Sequence, residues 1–217
     1  MSDVKTRVAE VARELFLSQG YNQTTIKQIV AASGVQTGSI YHFYKNKEEI
    51  FEYTAISSFD LYRGLVADYY KDAEISNAYS YSAVTFITFY LAEYYSNFLD
   101  VIYEMYRSST ITHHIAEHAA RYNLEWFGEF NPGCDYDYFY PRTLAMEGCI
   151  YSFVANKYLG SPIPFRTRIK TFFSIALSTY NAPEDVIDEI TSDACIDKLE
   201  ADIGEIVRGI GTTKMEL

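Results

Sequence analysis

The chain has 217 residues, is 48% hydrophobic and carries a formal net charge of −11, which excludes a disordered polymer and leaves enough length to bury a core. Residues 1–47 hold six Lys/Arg against three acidic side chains, a balance of +3, whereas the other 170 residues hold 12 basic and 26 acidic side chains, a balance of −14. A basic head therefore precedes an acidic body, and only the head has the positive charge that phosphate binding requires.

The cysteines and the N-terminus indicate the compartment. Cys134, Cys149 and Cys195 are far apart and form no C-x-x-C pair, so neither a disulfide framework nor a thiolate metal site is indicated. The N-terminus lacks the apolar run of a secretory signal, and no window is apolar enough for a membrane span. We expect a soluble, cytoplasmic protein without membrane contact or cofactor.

Three short helices are predicted in the head. Val8, Ala12 and Phe16 lie on one helical stripe, and Gly20 can end that helix in a left-handed conformation. Thr25 and Gln28 have the spacing of a capping box, which opens a second helix. After a tight turn at 32–35, helical spacing resumes from Thr37 to Tyr44.

The acidic body is also predicted to be helical. Proline and glycine breakers, such as Asn131-Pro132-Gly133 and the Pro183 that suits a first helical turn, separate the segments. Residues 135–140 are interpreted as a loop. No alternating strand pattern is found, so the predicted fold class is all-α. The predicted helices cover residues 47–72, 79–93, 95–107, 110–129, 140–159, 165–181 and 184–208.

Two short helices joined by a glycine-containing turn are typical of a helix-turn-helix motif. In the second of them, Ile40 and Phe43 point inward, while Thr37, Gly38, Tyr41 and His42 share an outer face without a carboxylate. Such a slim, hydrogen-bonding surface suits the major groove of DNA, and Lys45 and Lys47 follow it as phosphate partners. The alternative interpretation is a surface corner of an ordinary helical bundle.

The segments 20–26, 29–35 and 38–51 resemble the TetR family of bacterial transcriptional regulators. In one-letter code they read GYNQTTI, IVAASGV and GSIYHFYKNKEEIF. The resemblance implies an N-terminal three-helix DNA-binding head over residues 1–47 and a helical ligand-binding and dimerisation domain over residues 48–217. It also implies a homodimer that represses transcription at a partly palindromic operator and is released by a small molecule. Tyr44 departs from the family, which more often has Phe at that position.

The resemblance also implies roles for single residues of the head. Thr25 is expected to contact phosphate, Gln36, Thr37, Gly38 and Ser39 to begin the recognition helix, Tyr41 and His42 to contact phosphate and bases, and Lys47 to contact phosphate at the start of the fourth helix. The two late helices at 140–159 and 165–181 are expected to form a four-helix dimer interface with their counterparts.

Residues 52–217 contain 18 of the 21 tyrosines and 11 of the 14 phenylalanines. Aromatic residues at helical spacing commonly form core and dimer contacts, but they can also enclose an apolar pocket with polar groups. Carboxylates among them would favour an aromatic, apolar or cationic effector. The candidate ligand-binding residues are Phe86, Tyr90, Tyr94, Tyr103, Tyr106, Tyr122, Trp126, Glu147 and Tyr151.

A metal-dependent function is the alternative from another class. His114, Glu117 and His118 match the H-x-x-E-H pattern of one metallopeptidase class, in which two histidines at i and i+4 can bind zinc. The match consists of three positions and no third ligand is identifiable. We therefore expect a non-enzymatic regulator with no metal site, and the histidines as a polar patch.

Overall fold

The computed structural model describes residues 2–160 and 163–209, and within those ranges it contains helices and no strands. This confirms the all-α fold class. The helices are α1 (Ser2–Gln19), α2 (Ile26–Ser33), α3 (Thr37–Phe43), α4 (Lys47–Tyr69), α5 (Asn77–Tyr94), α6 (Ser96–Tyr106), α7 (Ser109–Phe127), α8 (Tyr136–Tyr158), α9 (Phe165–Thr179), α10 (Glu184–Thr191) and α11 (Asp193–Gly209).

None of these helices, in the part of the chain that the structure describes, combines enough length with enough apolar character to cross a bilayer. Residues 210–217, which belong to the predicted body, lie outside the described ranges.

Local sequence sets most helix starts. The side chains of Asn46, Ser76 and Ser108 each accept a hydrogen bond from a backbone N–H of the first turn that follows. Such caps satisfy donors that have no partner within the helix and contribute about 1 kcal/mol each. At the end of α2, Gly34 adopts φ +65°, a left-handed conformation that favours glycine.

Two apolar cores stabilise the molecule, and α4 contributes to both. The head core contains Val8, Phe16 and Ile29 together with Ile50 and Phe51 from the first turn of α4. Ile111 and Ile115 of α7 also pack there, so the body reaches into the head core. The larger core includes Val66 near the other end of α4 and Phe86 of α5. The helix that joins head to body is therefore buried at both ends.

Two predicted boundaries were wrong. Residues 136–140 are helical, because Asp135 caps α8 and Phe139 is buried in its first turns, so Pro141 lies inside the helix. The predicted helix over 184–208 is divided at Ser192, whose backbone is extended (φ −62°, ψ 151°). The hydroxyl of Ser192 donates to the Glu189 carbonyl at 2.7 Å and accepts from the Cys195 N–H at 3.1 Å, so this residue ends α10 and begins α11.

Tyrosines of α4 and α5 attach the acidic helix α11 to the body. Tyr69 donates to Glu205 at 2.8 Å, and Tyr70 donates to Asp202. Lys198 also donates to Asp202, at 2.7 Å. Partial burial raises the pKa of Asp202, but the hydrogen bonds from Lys198 and Tyr70 lower it by more, and the net pKa lies below the ordinary value.

We predict that Asp202→Asn reduces the free energy of unfolding by about 1 to 2 kcal/mol at neutral pH, because it removes a charge that accepts several hydrogen bonds. A carboxyl with a depressed pKa contributes stability above its unfolded pKa and loses it as the pH falls. The difference in the free energy of unfolding between variant and wild type should therefore decrease below about pH 4. Denaturant unfolding measures it, with the exposed Asp188→Asn as control. An equal loss in both variants would contradict this role of Asp202.

Candidate functional site

The helix-turn-helix of the head has the predicted geometry. Thr25 and Gln28 form both halves of a capping box, with the Thr25 N–H donating to Gln28 Oε1 at 2.8 Å. Gln36 precedes α3 in extended conformation. Ile40 of α3 is fully buried and Phe43 is half-buried, so the inner side of this short helix rests on the head core.

The opposite side of α3 is available to a partner. Thr37, Gly38, Ser39, Tyr41 and His42 are all exposed, and Tyr41 exposes 52% of its surface. A Cβ added at Gly38 would meet nothing within 4 Å, so the helix is slim at this end. These five residues, all predicted to touch DNA, thus lie on the exposed side of α3, and none of them carries a carboxylate.

Lys47, the first residue of α4, is held in place by Tyr21. Its ammonium donates to the Tyr21 carbonyl at 2.8 Å and lies 4.1 Å from the centroid of the Tyr21 ring. Partial burial lowers the pKa of Lys47 below its ordinary value. Tyr21 in turn stacks on Phe51, with ring centroids 4.2 Å apart. The start of α4 is therefore attached to the α1–α2 connection.

The family departure at Tyr44 is accommodated by a hydrogen bond. Tyr44 is buried, and its hydroxyl donates to the Lys5 carbonyl at 3.0 Å. Burial and the neighbouring Tyr53 raise the pKa of Tyr44, so the phenol stays neutral. The extra hydroxyl therefore connects the end of the helix-turn-helix to α1.

A cavity of about 370 Å³ lies between the head and the body. Its walls come from α1, α4, α5, α6, α7 and α8, and most of the lining is apolar. Polar groups interrupt that lining at the buried Glu147, Asn123 and Thr143, and at Tyr106 and Tyr180. A mostly apolar cavity with a few convergent polar groups is the usual form of a small-molecule site.

Glu147 is the buried carboxyl of this cavity. The Tyr106 hydroxyl donates to Glu147 Oε2 at 2.7 Å. Burial raises the pKa of Glu147 to about 7, although the Tyr106 hydrogen bond acts in the opposite direction. Tyr81 of α5 and Tyr180, after α9, also interact electrostatically with this carboxyl. Small changes in the surroundings can therefore switch the group between acid and carboxylate near neutral pH.

A hydroxyl and amide network adjoins Glu147. Asn123 Nδ2 donates to Thr143 Oγ1 and to the Tyr180 hydroxyl, both at 2.9 Å. Asn123 Oδ1 is buried and has no hydrogen-bond partner among the described residues. A buried amide oxygen without a donor costs about 1 to 3 kcal/mol, which a donating ligand group would offset.

The sequence identified only part of this cavity. Of the nine predicted ligand residues, Tyr106 and Glu147 line it. Arg13, Asn123 and Thr143 were missed, although Asn123 gives a readable signal. It lies four residues after the buried Ala119 and three before the buried Trp126, so a polar side chain falls on the buried side of α7.

The other seven predicted ligand residues pack elsewhere. Phe86 contacts Phe165 and Phe173, and Tyr94 donates to Glu200 of α11. The remaining members take part in ring contacts or helix packing: Tyr90 beside Gly204, Tyr103 stacked on Tyr158 at 3.9 Å, Tyr122 and Trp126 against Phe59, and Tyr151 near Tyr103 and Tyr106.

Two histidines of α7 face carboxylates of α4, and the third, His113, hydrogen-bonds to the Ser109 carbonyl. His114 Nδ1 lies 2.7 Å from Glu52 Oε1, and His118 Nε2 lies 2.8 Å from Asp60 Oδ1. Glu117, between them in sequence, is exposed. Across the described residues, no three His, Cys, Asp or Glu side chains are grouped as they would be around a metal ion. The H-x-x-E-H pattern thus forms two separate contacts between helices.

Comparison with known proteins assigns the head to a family. Residues 8–54 match the model described as bacterial regulatory proteins, tetR family. A 49-residue segment is 41% identical to the HTH-type transcriptional regulator QacR of Staphylococcus aureus and covers 23% of this chain and 26% of that protein. Another 49-residue match, to the uncharacterized HTH-type transcriptional regulator YxaF of Bacillus subtilis, is 45% identical and covers 22% and 26%.

Two further matches extend this comparison. The HTH-type transcriptional repressor KstR2 of Rhodococcus jostii is 34% identical over 67 residues, covering 29% of this chain and 33% of that protein. The matched segment thus spans about a quarter to a third of these relatives. A solved gamma-butyrolactone receptor (ArpA-like protein) superposes with a TM-score of 0.42 and 16% identity, covering 94% of this chain and 97% of that one.

We predict that Glu147→Gln stabilises the protein at alkaline pH. Because burial raises the pKa of Glu147 to about 7, wild type loses stability as the pH rises from the unfolded pKa through 7. The free energy of unfolding of the variant relative to wild type should therefore increase by about 2 kcal/mol between pH 5 and pH 8. Denaturant unfolding at both pH values measures this, with exposed Glu117→Gln as control. A gain that does not change with pH would show that Glu147 does not titrate there.

Proposed function

Because residues 8–54 match the TetR family of bacterial transcriptional regulators, we propose that this chain is a cytoplasmic repressor of that family, which binds a partly palindromic operator as a homodimer and is released by a small molecule. The observation that carries the proposal is the exposed, carboxylate-free surface of α3 on a buried helix-turn-helix core. Dimeric proteins of this kind insert two such helices one DNA turn apart, about 34 to 36 Å.

The contacts with DNA are proposed from the positions on that surface. Tyr41 and His42 reach phosphate and bases, and Thr37 and Gly38, with Gln36 and Ser39 beside them, enter the groove first. Thr25 and Lys47 contact phosphate on either side. The balance of +3 in the head neutralises few phosphates per subunit, so binding depends on two heads and on a matched operator.

We predict that Tyr41→Phe and His42→Ala each weaken operator binding about tenfold, since each removes a contact with phosphate or a base. Both side chains are exposed, so the fold should be unaffected. The operator is first selected from random duplexes with the wild-type dimer, and gel shifts then compare the variants with Tyr69→Phe and His113→Ala, which alter exposed residues of the body. Failure to select any sequence would overturn the proposed function, and unchanged affinity of both head variants would overturn this assignment of the residues.

The dimer interface is proposed on α8 and α9. The exposed positions Ala145, Gly148 and Ser152 follow one another along α8, and Ser174 and Ile175 are exposed on α9. Small side chains let two helices approach closely, and Ile175, with 42% of its surface exposed, offers apolar area to bury. The acidic body thereby pairs with its copy through surfaces of low charge.

We predict that Gly148→Arg converts the dimer to a monomer, because a long charged side chain would separate the two α8 helices. A Cβ at Gly148 meets nothing within 4 Å in the single chain, so the variant should still fold. Gly64→Arg on α4 is the matched control, since Gly64 is equally exposed and open. Light scattering after size-exclusion chromatography reports the mass, and an intact dimer of Gly148→Arg would rule out this interface.

The effector is proposed to bind in the cavity between head and body. Its lining includes the carboxyls of Glu10, Glu14 and Glu147 and the single guanidinium of Arg13. This charge balance favours an aromatic or apolar molecule that is neutral or cationic over an anionic one. A ligand acts on DNA binding only if it binds one arrangement of the heads more tightly than another. Because α4 lines the cavity and is buried in both cores, it transmits that preference.

A further inference from the structure

Helix α1 of the DNA-binding head forms part of the cavity wall. Glu10, Arg13, Glu14, Phe16 and Leu17 all line it, beside residues of α4 and of the body. Phe16 also belongs to the head core, together with Ile29 of α2 and Ile40 of α3. A molecule in the cavity would therefore touch the helix against which the recognition helix packs.

Arg13 of α1 has a buried hydrogen-bond donor without an acceptor in the part of the chain that the structure describes. Its Nη2 donates to Ser57 Oγ of α4 at 2.8 Å, and Ser57 Oγ itself donates to the Thr54 carbonyl at 3.2 Å. Arg13 Nε is buried and has no hydrogen-bond partner among the described residues. The Nε–H donor of this guanidinium is therefore left without an acceptor among those residues. This hydrogen bond is also a direct polar link between α1 and α4.

We propose that the effector carries a neutral hydrogen-bond acceptor that takes the guanidinium of Arg13 from Ser57, so that the ligand itself breaks a link between α1 and α4. The proposal rests on the proposed function and specifies which group of the effector Arg13 recognises. The acceptor is neutral, such as a ketone, ester or amide oxygen, because Glu10 and Glu14 line the same cavity and oppose an anion.

Glu147 specifies the second group of the effector. Its carboxyl and the hydroxyl of Tyr106 are buried in the wall of the cavity, where a donor or an ammonium group would be bound. The effector class is therefore an apolar molecule with an amine or other donor at one position and a neutral acceptor at another. Exchange at Arg13 frees α1 relative to α4, which changes the position of the head on the body.

The test uses the full-length protein and two homologous series of arylalkylamines. One series has an acetyl group in the para position of the ring, the other an ethyl group of similar size, and in each series the alkyl linker is lengthened one methylene at a time. Calorimetry measures binding to wild type, Arg13→Met, Ser57→Ala and Ser58→Ala. Ser58 is the matched control, because its hydroxyl also donates to the Thr54 carbonyl, whereas the hydroxyl that accepts from Arg13 is that of Ser57.

The proposal expects the best acetyl probe to bind wild type about tenfold more tightly than its ethyl counterpart, the gain from one charge-assisted hydrogen bond. Arg13→Met should abolish that preference. Ser57→Ala should strengthen acetyl binding several-fold, because the competing hydroxyl is gone. Ser58 lines the cavity but is not the acceptor of Arg13, so Ser58→Ala should keep the wild-type preference for acetyl over ethyl. Because Arg13→Met should weaken acetyl binding and Ser57→Ala should strengthen it, unfolding of the variants cannot explain both results.

Equal binding of both series to wild type, or an acetyl preference that survives Arg13→Met, would overturn the role of Arg13. Absence of binding by every probe would overturn the two-point effector class as well. Neither result affects operator selection by the unliganded dimer, so a failure of this inference is distinguishable from a failure of the proposed function.

Discussion

Tyrosine hydroxyls that donate to carboxylates hold the acidic body of this protein together. The body has more than twice as many acidic as basic side chains, so most carboxylates cannot find a Lys or Arg. Tyr69 and Tyr94 instead donate to Glu205 and Glu200 of α11, and Tyr70, like Lys198, donates to Asp202. A phenol supplies a neutral donor on a large apolar ring, so it buries area and satisfies an acceptor at once. This pairing accounts for part of the tyrosine excess.

The same chemistry also occurs where the helices meet inside the molecule. Tyr106 donates to the buried Glu147, and Tyr122 donates to Asp60 at 3.1 Å. Because the donor is neutral, it does not fully offset the cost of burying a charge, and the pKa of Glu147 remains at about 7. A tyrosine hydroxyl is thus a sufficient partner for carboxylates on the exterior of the bundle, but inside the cavity it leaves Glu147 titratable.

Helix α4 couples the two parts because neither part has a complete core without it. Ile50 and Phe51 complete the head core, and Val66 packs in the body core. Ile111 and Ile115 of α7 add a second connection to the head. A close-packed interface of this kind transmits displacement as a unit, since side chains in a core cannot shift independently. A cavity bounded by α1, α4 and α7 is consequently well placed to influence the position of the head.

Features that depend on neighbouring residues could be predicted from the sequence. The stripe of Val8, Ala12 and Phe16, the capping box of Thr25 and Gln28, and the exposed side of α3 each involve hydrogen bonds or spacings within a few turns. Ser192 was missed although its effect is local, because a serine within a helical pattern does not by itself indicate that its hydroxyl will end one helix and begin the next. The loop predicted over residues 135–140 was wrong for a similar reason, since Pro141 favours the first turn of a helix but is tolerated within α8.

Only the tertiary structure determines which residues line the cavity. Arg13, Asn123 and Glu147 come from α1, α7 and α8, and no spacing in the sequence relates them. Aromatic content predicted a pocket but not its walls, because tyrosines such as Tyr94 and Tyr103 pack equally well on a neighbouring helix or ring. Helix type, caps and amphipathic faces follow from local hydrogen bonding and hydrophobic periodicity. Which side chains converge depends on how distant helices cross, and that is set by the packing of the whole core.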